Sequence, residues 1–273
     1  MGWPVAHSLS PRLHGYWLAH HGIDGRYDAL AVAPEGLAQR LAGIAADGFA
    51  GVNLTVPHKL AALDFMVSLS PAARAIGAVN TVVVGPDGAL AGDNTDAFGF
   101  MENLRAGAPH WSAGSGPAVV LGAGGAARAV CHGLLAAGAP EIRLINRTAA
   151  NAEALAAMDA ERITTPAWAA RGDALHEAAL LVNTTSLGMV GQPALDLDLA
   201  ALPDGALVTD IVYAPLETPL LAAAARRGNP VVDGLGMLLH QARPGFAAWF
   251  GVMPEVTAAL RAHVLADDVV SGP

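Results

Sequence analysis

Four short polar clusters in the first hundred residues carry side chains suited to a small polyhydroxylated acid. His7-Ser8-Leu9-Ser10-Pro11 presents two hydroxyls, Ser8 and Ser10, at i and i+2. Asn53-Leu54-Thr55-Val56-Pro57-His58-Lys59 presents the amide of Asn53, the hydroxyl of Thr55 and the ammonium of Lys59. Ala78-Val79-Asn80-Thr81 adds the amide of Asn80, and Asp93-Asn94-Thr95-Asp96 adds two carboxylates and an amide. Each hydroxyl of a polyol needs a donor or an acceptor opposite it, and these residue types supply both.

The chain has 14 Arg and one Lys, Lys59. Arg serves a solvated surface equally well, whereas a proton donor with a tunable pKa needs Lys. Pro57 is expected to open a short helix, which puts Lys59 in a first turn where the helix dipole disfavours a cation. An unfavourable place for the only ammonium points to a task, shared with a carboxylate. The other cluster members also have purely structural uses: Ser10 and Asp96 as helix N-caps, Asn53 and Asn80 as turn residues.

A second kind of chemistry follows the apolar run Val119-Val120-Leu121. Gly122-Ala123-Gly124-Gly125-Ala126-Ala127 reads G-x-G-x-x-A between a strand and an amphipathic helix. The first glycine permits a tight turn and the second lets backbone approach a pyrophosphate. The third small residue packs the helix on the strand, and the helix N-terminus faces the phosphates. The next strand ends in Asn146-Arg147-Thr148. An NAD site usually has Asp or Glu at such a tip. Here no carboxylate repels a 2′-phosphate, Arg147 can pair with it or stack on adenine, and Thr148 can cap the following helix while donating a hydroxyl. NADP is the expected cofactor.

These residues need elements to hold them. Helices are expected over 10–21, 34–47, from Ser70-Pro71, and over 94–105, with strands at 26–32 and 50–56 and a hairpin of 79–84 with 89–92 around Pro86-Asp87-Gly88. Residues 107–117, rich in Gly, Pro and Ser, read as a connection. Strands then fall at 117–121, 140–145, 161–164, 179–183, 206–210 and 230–232, alternating with helices at 124–137, 148–158 and 217–227. That rhythm implies a parallel doubly wound sheet. Helices at 235–249 and 254–266 close the chain.

With 273 residues there is length for two domains. Hydrophobic residues make up 53% and charged residues 14%, which excludes disorder. The two long uncharged stretches, 106–127 and 178–195, are broken by Gly, Pro and polar residues, so neither reads as a membrane span. A net charge of −9 without a basic stripe argues against nucleic acid. The single cysteine, Cys131, and the absence of a signal-peptide pattern give a cytoplasmic expectation. No His spacing suits a metal.

Taken together the motifs resemble the shikimate dehydrogenase family over nearly the whole chain. In family order they are H-S-L-S-P, N-L-T-V-P-H-K, G-A-V-N-T, G-D-N-T-D, G-A-G-G-A, N-R-T, N-T-T-S-L-G-M and D-G-L-G-M-L-L-H-Q-A. The resemblance implies a two-domain α/β fold. A Rossmann NADP-binding domain, 108–234, is inserted in an α/β substrate-binding domain made of 1–107 and 235–273. It implies reversible NADPH-dependent reduction of 3-dehydroshikimate to shikimate, in chorismate and aromatic amino acid biosynthesis. By motif, Ser8 and Ser10 would hold the carboxylate and Asn53, Thr55, Asn80, Asp96 and Gln241 the ring hydroxyls. Lys59 and Asp96 would be the catalytic pair. Gly122, Ala123, Gly124, Gly125 and Ala126 would meet the pyrophosphate and Asn146, Arg147 and Thr148 the adenosine end. Met189, Tyr213 and Gly234 would line the nicotinamide side and the cleft, Tyr213 toward substrate. A monomer or homodimer is expected. A quinate/shikimate dehydrogenase using NAD(P) and a non-catalytic NADP-binding regulator are the alternatives.

Two departures stand out. Family members often carry a second basic residue three positions after the Thr of N-R-T, where this chain has Asn151, which weakens the expected phosphate clamp. Family chains also usually place a strand before H-S-x-S-P. Only residues 1–6 precede His7 here, so that strand is expected to be missing or abbreviated.

Overall fold

The computed structural model describes residues 1–266. Two compact units form among them: residues 1–95 with 238–266, and residues 96–237.

In the second unit, runs of β-branched and leucine residues make six parallel strands: β5 (Ala118–Leu121), β6 (Ile142–Ile145), β7 (Ile163–Thr164), β8 (Leu180–Asn183), β9 (Leu207–Asp210) and β10 (Val231–Val232). Their order is β7-β6-β5-β8-β9-β10, the doubly wound arrangement, with its switch point between β5 and β8. Side chains alternate between two covered faces. Ala118 and Val120 pack with Val130, Cys131 and Leu134 of α5 (Gly125–Ala136), and Val119 and Leu121 pack with Leu220 and Leu221 of α7 (Pro219–Arg227). Each fully buried Val or Leu is worth about 1.5–3 kcal/mol. Helix α6 (Ala149–Ala156) follows β6.

Helix α4 (Asp96–Gly107) belongs to this unit, whereas the expected division lay at 107. The reason is burial: Phe100, Met101 and Leu104 enter the same core as α5. Gly133 allows the approach, since a Cβ there would meet Met101 Cγ at 3.1 Å. The other division falls after Met237, three residues into α8 (Leu235–Phe250).

In the first unit, β1 (Gly51–Asn53), β2 (Ser68–Leu69), β3 (Thr81–Val84) and β4 (Leu90–Asp93) form a sheet in the order β1-β3-β4-β2. Helices α1 (Ser10–His20), α2 (Leu37–Gly43), α3 (Pro71–Ile76) and α9 (Ala258–Leu265) surround it with the rest of α8. The core joins Leu37, Leu41 and Ile44 to Val52, Leu54, Val79 and Val82. Trp249 crosses the sheet and donates Nε1–H to the Val82 carbonyl at 3.0 Å, a path open only because residue 51 is Gly.

Three local expectations are corrected. Residues 26–32 are extended but pair only through one parallel bridge, Gly2 with Ala31, because their neighbour is the short segment Met1–Trp3. That segment bridges the two sides of the unit: Gly2 N–H donates to Leu30 O, and Thr55 N–H to Met1 O at 2.9 Å. Pro57 opens no helix; residues 57–60 are turn, and helical backbone begins with a 3₁₀ stretch at Ala61–Phe65. The dipole argument for Lys59 therefore falls away. Ser10 is not an N-cap either, for the helix starts on it and Leu9 holds the cap position.

Candidate functional site

In the first unit the end of β1, the start of β3 and the end of β4 meet. Asn53 closes β1, Asn80 precedes β3 and Thr95 follows β4, so strand pairing brings them together. Asn53 Nδ2 donates to Asn80 O at 3.1 Å and Thr81 Oγ1 at 3.0 Å. Asn80 Nδ2 donates to Thr95 Oγ1 at 3.0 Å and to Gln241 Oε1, on α8, at 3.2 Å. Asn80 Oδ1 receives the Thr95 N–H at 2.8 Å. The amides are thus a bonded framework, more than turn residues.

The hydroxyl end is built on α1. Ser8 Oγ accepts the Ser10 N–H at 3.3 Å. Tyr27 Oη donates to Asn53 Oδ1 at 2.8 Å. The ring of Tyr27 lies flat on His14, with centroids 4.0 Å apart and planes 1° from parallel. Burial raises the phenol's pKa. The same burial lowers that of His14 to about 3, and neither of its ring nitrogens has a hydrogen-bond partner.

Lys59 is half-buried, and its carbonyl accepts the Val79 N–H at 2.8 Å, which ties the turn to the strand leading to Asn80. Thr55 is exposed and its hydroxyl bonds to no described residue. Asp96 is buried at the first position of α4.

In the second unit the C-terminal ends of β5, β6, β8 and β9 lie side by side. Gly122 adopts φ +107°, and a Cβ there would fall 2.6 Å from Thr184 Oγ1, so packing alone demands glycine. Gly124 differs: a Cβ on it would meet nothing within 4 Å. No protein contact requires glycine there, which fits a position kept bare for a ligand. Ala127 is fully buried against the sheet, as the third small residue of the motif should be. Ala123, Gly125 and Ala126 are half-buried around the start of α5.

Ile145 O accepts the Gly122 N–H at 2.8 Å, which sets the tip of β6 beside this loop. Arg147 is exposed there and makes no hydrogen bond or ion pair with any described residue. Asn146 Nδ2 donates to Thr148 O at 2.9 Å. Thr148 sits at the N-cap of α6, yet its side chain makes no capping bond, contrary to expectation. Its hydroxyl and the guanidinium of Arg147 are both available to a phosphate. Asn151 is exposed in the first turn of α6.

On the other side, Asn183 and Asp210 end β8 and β9 and are both fully buried. Met189 is exposed in the loop after β8, and Tyr213 is half-buried with its phenol pKa pushed up by burial. Gly234 is required by packing, because a Cβ would lie 2.5 Å from Ile211 O and 2.6 Å from Val212 O. Among the described residues no group of three or more His, Cys, Asp or Glu could hold a metal ion, and no helix is long and apolar enough to cross a membrane.

Comparison with known proteins decides the family. Residues 1–82 match the family model described as the shikimate dehydrogenase substrate binding domain. The NADP(+) shikimate dehydrogenase of Rhodospirillum rubrum is 66% identical over 269 residues, 97% of this chain and 95% of that one. That of Paramagnetospirillum magneticum is 61% identical, covering 97% and 96%. The chain belongs to the shikimate dehydrogenase family. Among solved structures, shikimate 5-dehydrogenase of Thermus thermophilus in complex with NADP(H) and shikimate is 42% identical at TM-score 0.86, with 96% of each chain covered. Quinate dehydrogenase of Corynebacterium glutamicum in complex with NAD is 30% identical at TM-score 0.90, covering 97% and 96%.

Within this shikimate dehydrogenase family member, motif reading overlooked five residues that the structure ties to the expected site: Tyr27, Thr81, Thr95, Asn183 and Asp210. Thr81 and Thr95 adjoin Asn80 and Asp96 in the quoted motifs, and Asn183 opens N-T-T-S-L-G-M, so adjacency was the available signal. Tyr27 lies in an unremarkable extended run and gives none.

Proposed function

We propose that this protein catalyses the reversible, NADPH-dependent reduction of 3-dehydroshikimate to shikimate, in the biosynthesis of chorismate and the aromatic amino acids. The observation that carries the reading is the amide framework of Asn53, Asn80 and Gln241 in a chain of this family, an array suited to a ring with several hydroxyls. The unit with the parallel sheet takes the cofactor and the other unit takes the substrate.

NADPH supplies the hydride, and the residues present suit it: a bare Gly124 at the start of α5, and at the tip of β6 Arg147, bonded to no described residue, with Thr148. Arg147 neutralises the 2′-phosphate, where an acidic residue would repel it. The chain's own groups handle the proton. Lys59 Nζ stabilises the oxyanion that develops on the substrate carbonyl and then protonates it; in the reverse direction it takes that proton back. Asp96 accepts a hydrogen bond from a substrate hydroxyl. Ser8 and Ser10 donate to the carboxylate. Asn53 has both amide protons committed to Asn80 and Thr81, so it meets a substrate hydroxyl through Oδ1, as an acceptor. Asn80 also gives its amide protons to protein, and it acts chiefly by holding Gln241 and Thr95 in place.

A cytoplasmic location suits the single thiol, Cys131, which is buried with its pKa pushed up to about 12. The reading is tested by incubating the protein with 3-dehydroshikimate and NADPH and identifying the product. Stoichiometric shikimate and NADP+ support it, and no turnover contradicts it.

A further inference from the structure

The N-T-T-S-L-G-M loop and the Ile211–Tyr213 segment are far apart in sequence, yet one side chain joins them. Asp210, at the end of β9, is fully buried. Its Oδ1 accepts from Asn183 Nδ2 and from the Val212 N–H, each at 3.0 Å, and its Oδ2 accepts from Thr218 Oγ1 at 2.8 Å. The partners come from β8, from the turn after β9 and from the N-cap of α7. No described cation faces it.

A buried carboxylate without a cation is costly, and apolar residues would pack the same volume more cheaply. What a carboxylate adds is acceptor capacity on two oxygens, enough for three donors from three segments. Those segments are specific ones. Asn183 passes its second amide proton to Leu187 O at 3.0 Å, and its Oδ1 receives both Thr185 N–H at 3.0 Å and Thr185 Oγ1–H at 2.7 Å. Thr185 Oγ1 then accepts the Leu187 N–H at 3.0 Å. The loop that leads to Met189 is thus wound on one amide, which Asp210 fixes. Just beyond that loop turn, Val190 N–H donates to Ala214 O at 2.9 Å. Val212, held by Asp210, precedes Tyr213, and the Ile211–Val212 backbone packs against Gly234.

We infer that Asp210 is a positioning residue for the nicotinamide end of the cofactor site, holding in register the segments that carry Met189, Tyr213 and Gly234. The inference rests on the NADP reading above. Asp210 does not touch the reacting atoms in this account; it acts through Asn183, Val212 and Thr218.

The test uses the full chain with Asp210→Ala, Asp210→Asn and Thr218→Val. Two probes separate the cofactor's ends. Adenosine 2′,5′-bisphosphate, bound in a calorimeter, reports only the adenosine end. The emission anisotropy of bound NADPH reports how firmly the nicotinamide is held. Asp210→Ala should lower both that anisotropy and kcat, kcat by at least tenfold, with the bisphosphate Kd within twofold of wild type. Asp210→Asn keeps an acceptor for Asn183 and Val212 and should recover most of both losses. Thr218→Val, the variant to use if Asp210→Ala does not fold, should shift both in the same direction by a smaller factor. Wild-type anisotropy and kcat in the variants that fold would overturn the inference. So would an equal loss of bisphosphate affinity, which marks general damage to the unit. Failure of wild type to bind the bisphosphate would instead strike the NADP reading itself.

Discussion

Tyr27 Oη donates to Asn53 Oδ1 at 2.8 Å, on the opposite side of the amide from the Asn80 carbonyl, which can only accept and so takes Nδ2. With Nδ2 already spent on Asn80 O and Thr81 Oγ1, Oδ1 is the atom left for a substrate hydroxyl. Removing the phenol's hydroxyl takes away one of the bonds that hold the amide and leaves Oδ1 one donor short. A neutral hydrogen bond is worth roughly 0.5–1.5 kcal/mol, so Tyr27→Phe should raise KM for shikimate by about 2- to 12-fold. The His14 stack keeps the ring in place, so kcat should change less than KM. Steady-state kinetics check this; an unchanged KM would show that Asn53 is oriented by its other bonds.

Lys59 carries a different kind of load. A positioned acid–base group contributes roughly 10²–10⁴-fold, so Lys59→Ala should lower kcat by that factor with little change in KM. The variant's melting temperature should stay near wild type, since the ordering bond of this turn is made by the Lys59 carbonyl, which Ala retains. A wild-type kcat in the folded variant would remove Lys59 from the chemistry.

Arg147 bonds to no described residue, so its replacement should read almost purely as ligand affinity. A charge-assisted contact to the 2′-phosphate is worth about 1.5–3 kcal/mol, which predicts a roughly 10- to 150-fold rise in KM for NADP in Arg147→Ala. KM for NAD should move far less. Equal effects on the two cofactors would mean that Arg147 meets only the part they share.

How far these residues could be found from sequence depended on the range of their partners. The strands β5 to β10 lie within a residue or two of expectation, because a strand covered on both faces is a continuous apolar run that local reading detects. Lys59, Asn80 and Arg147 stand out as residue types at element ends. The framework around Asp210 and Tyr27 was invisible for the opposite reason. Asp210 meets an amide 27 positions away, and Tyr27 meets one 26 positions away, so nothing in their local windows marks them. The missed turn at 57–60 has a related cause. Pro57 fits a helix start locally, but the carbonyl of Lys59 is claimed by Val79, which holds the chain in a turn instead.

His14 gives a pH prediction whose sign is fixed by burial. Its pKa in the folded protein is about 3, against 6.5 in the unfolded chain. A depressed imidazole contributes stability that is present above the unfolded value and is lost as pH falls from there toward the folded one. The slope from this group approaches about 1.4 kcal/mol per pH unit below 6.5. His14→Phe preserves a flat ring against Tyr27 and removes the titration. Denaturation midpoints followed from pH 7 to pH 4 should therefore fall more steeply in wild type than in the variant. Parallel curves would show that His14 gains solvent or a partner on acidification.

The protein is expected to turn over shikimate with NADP. This is tested most directly by kcat/KM for shikimate and quinate, each with NADP and with NAD, on the intact protein. Shikimate with NADP should exceed each of the other three combinations by at least tenfold. Quinate with NAD as the preferred pair, or no oxidation of shikimate with either cofactor, would contradict it.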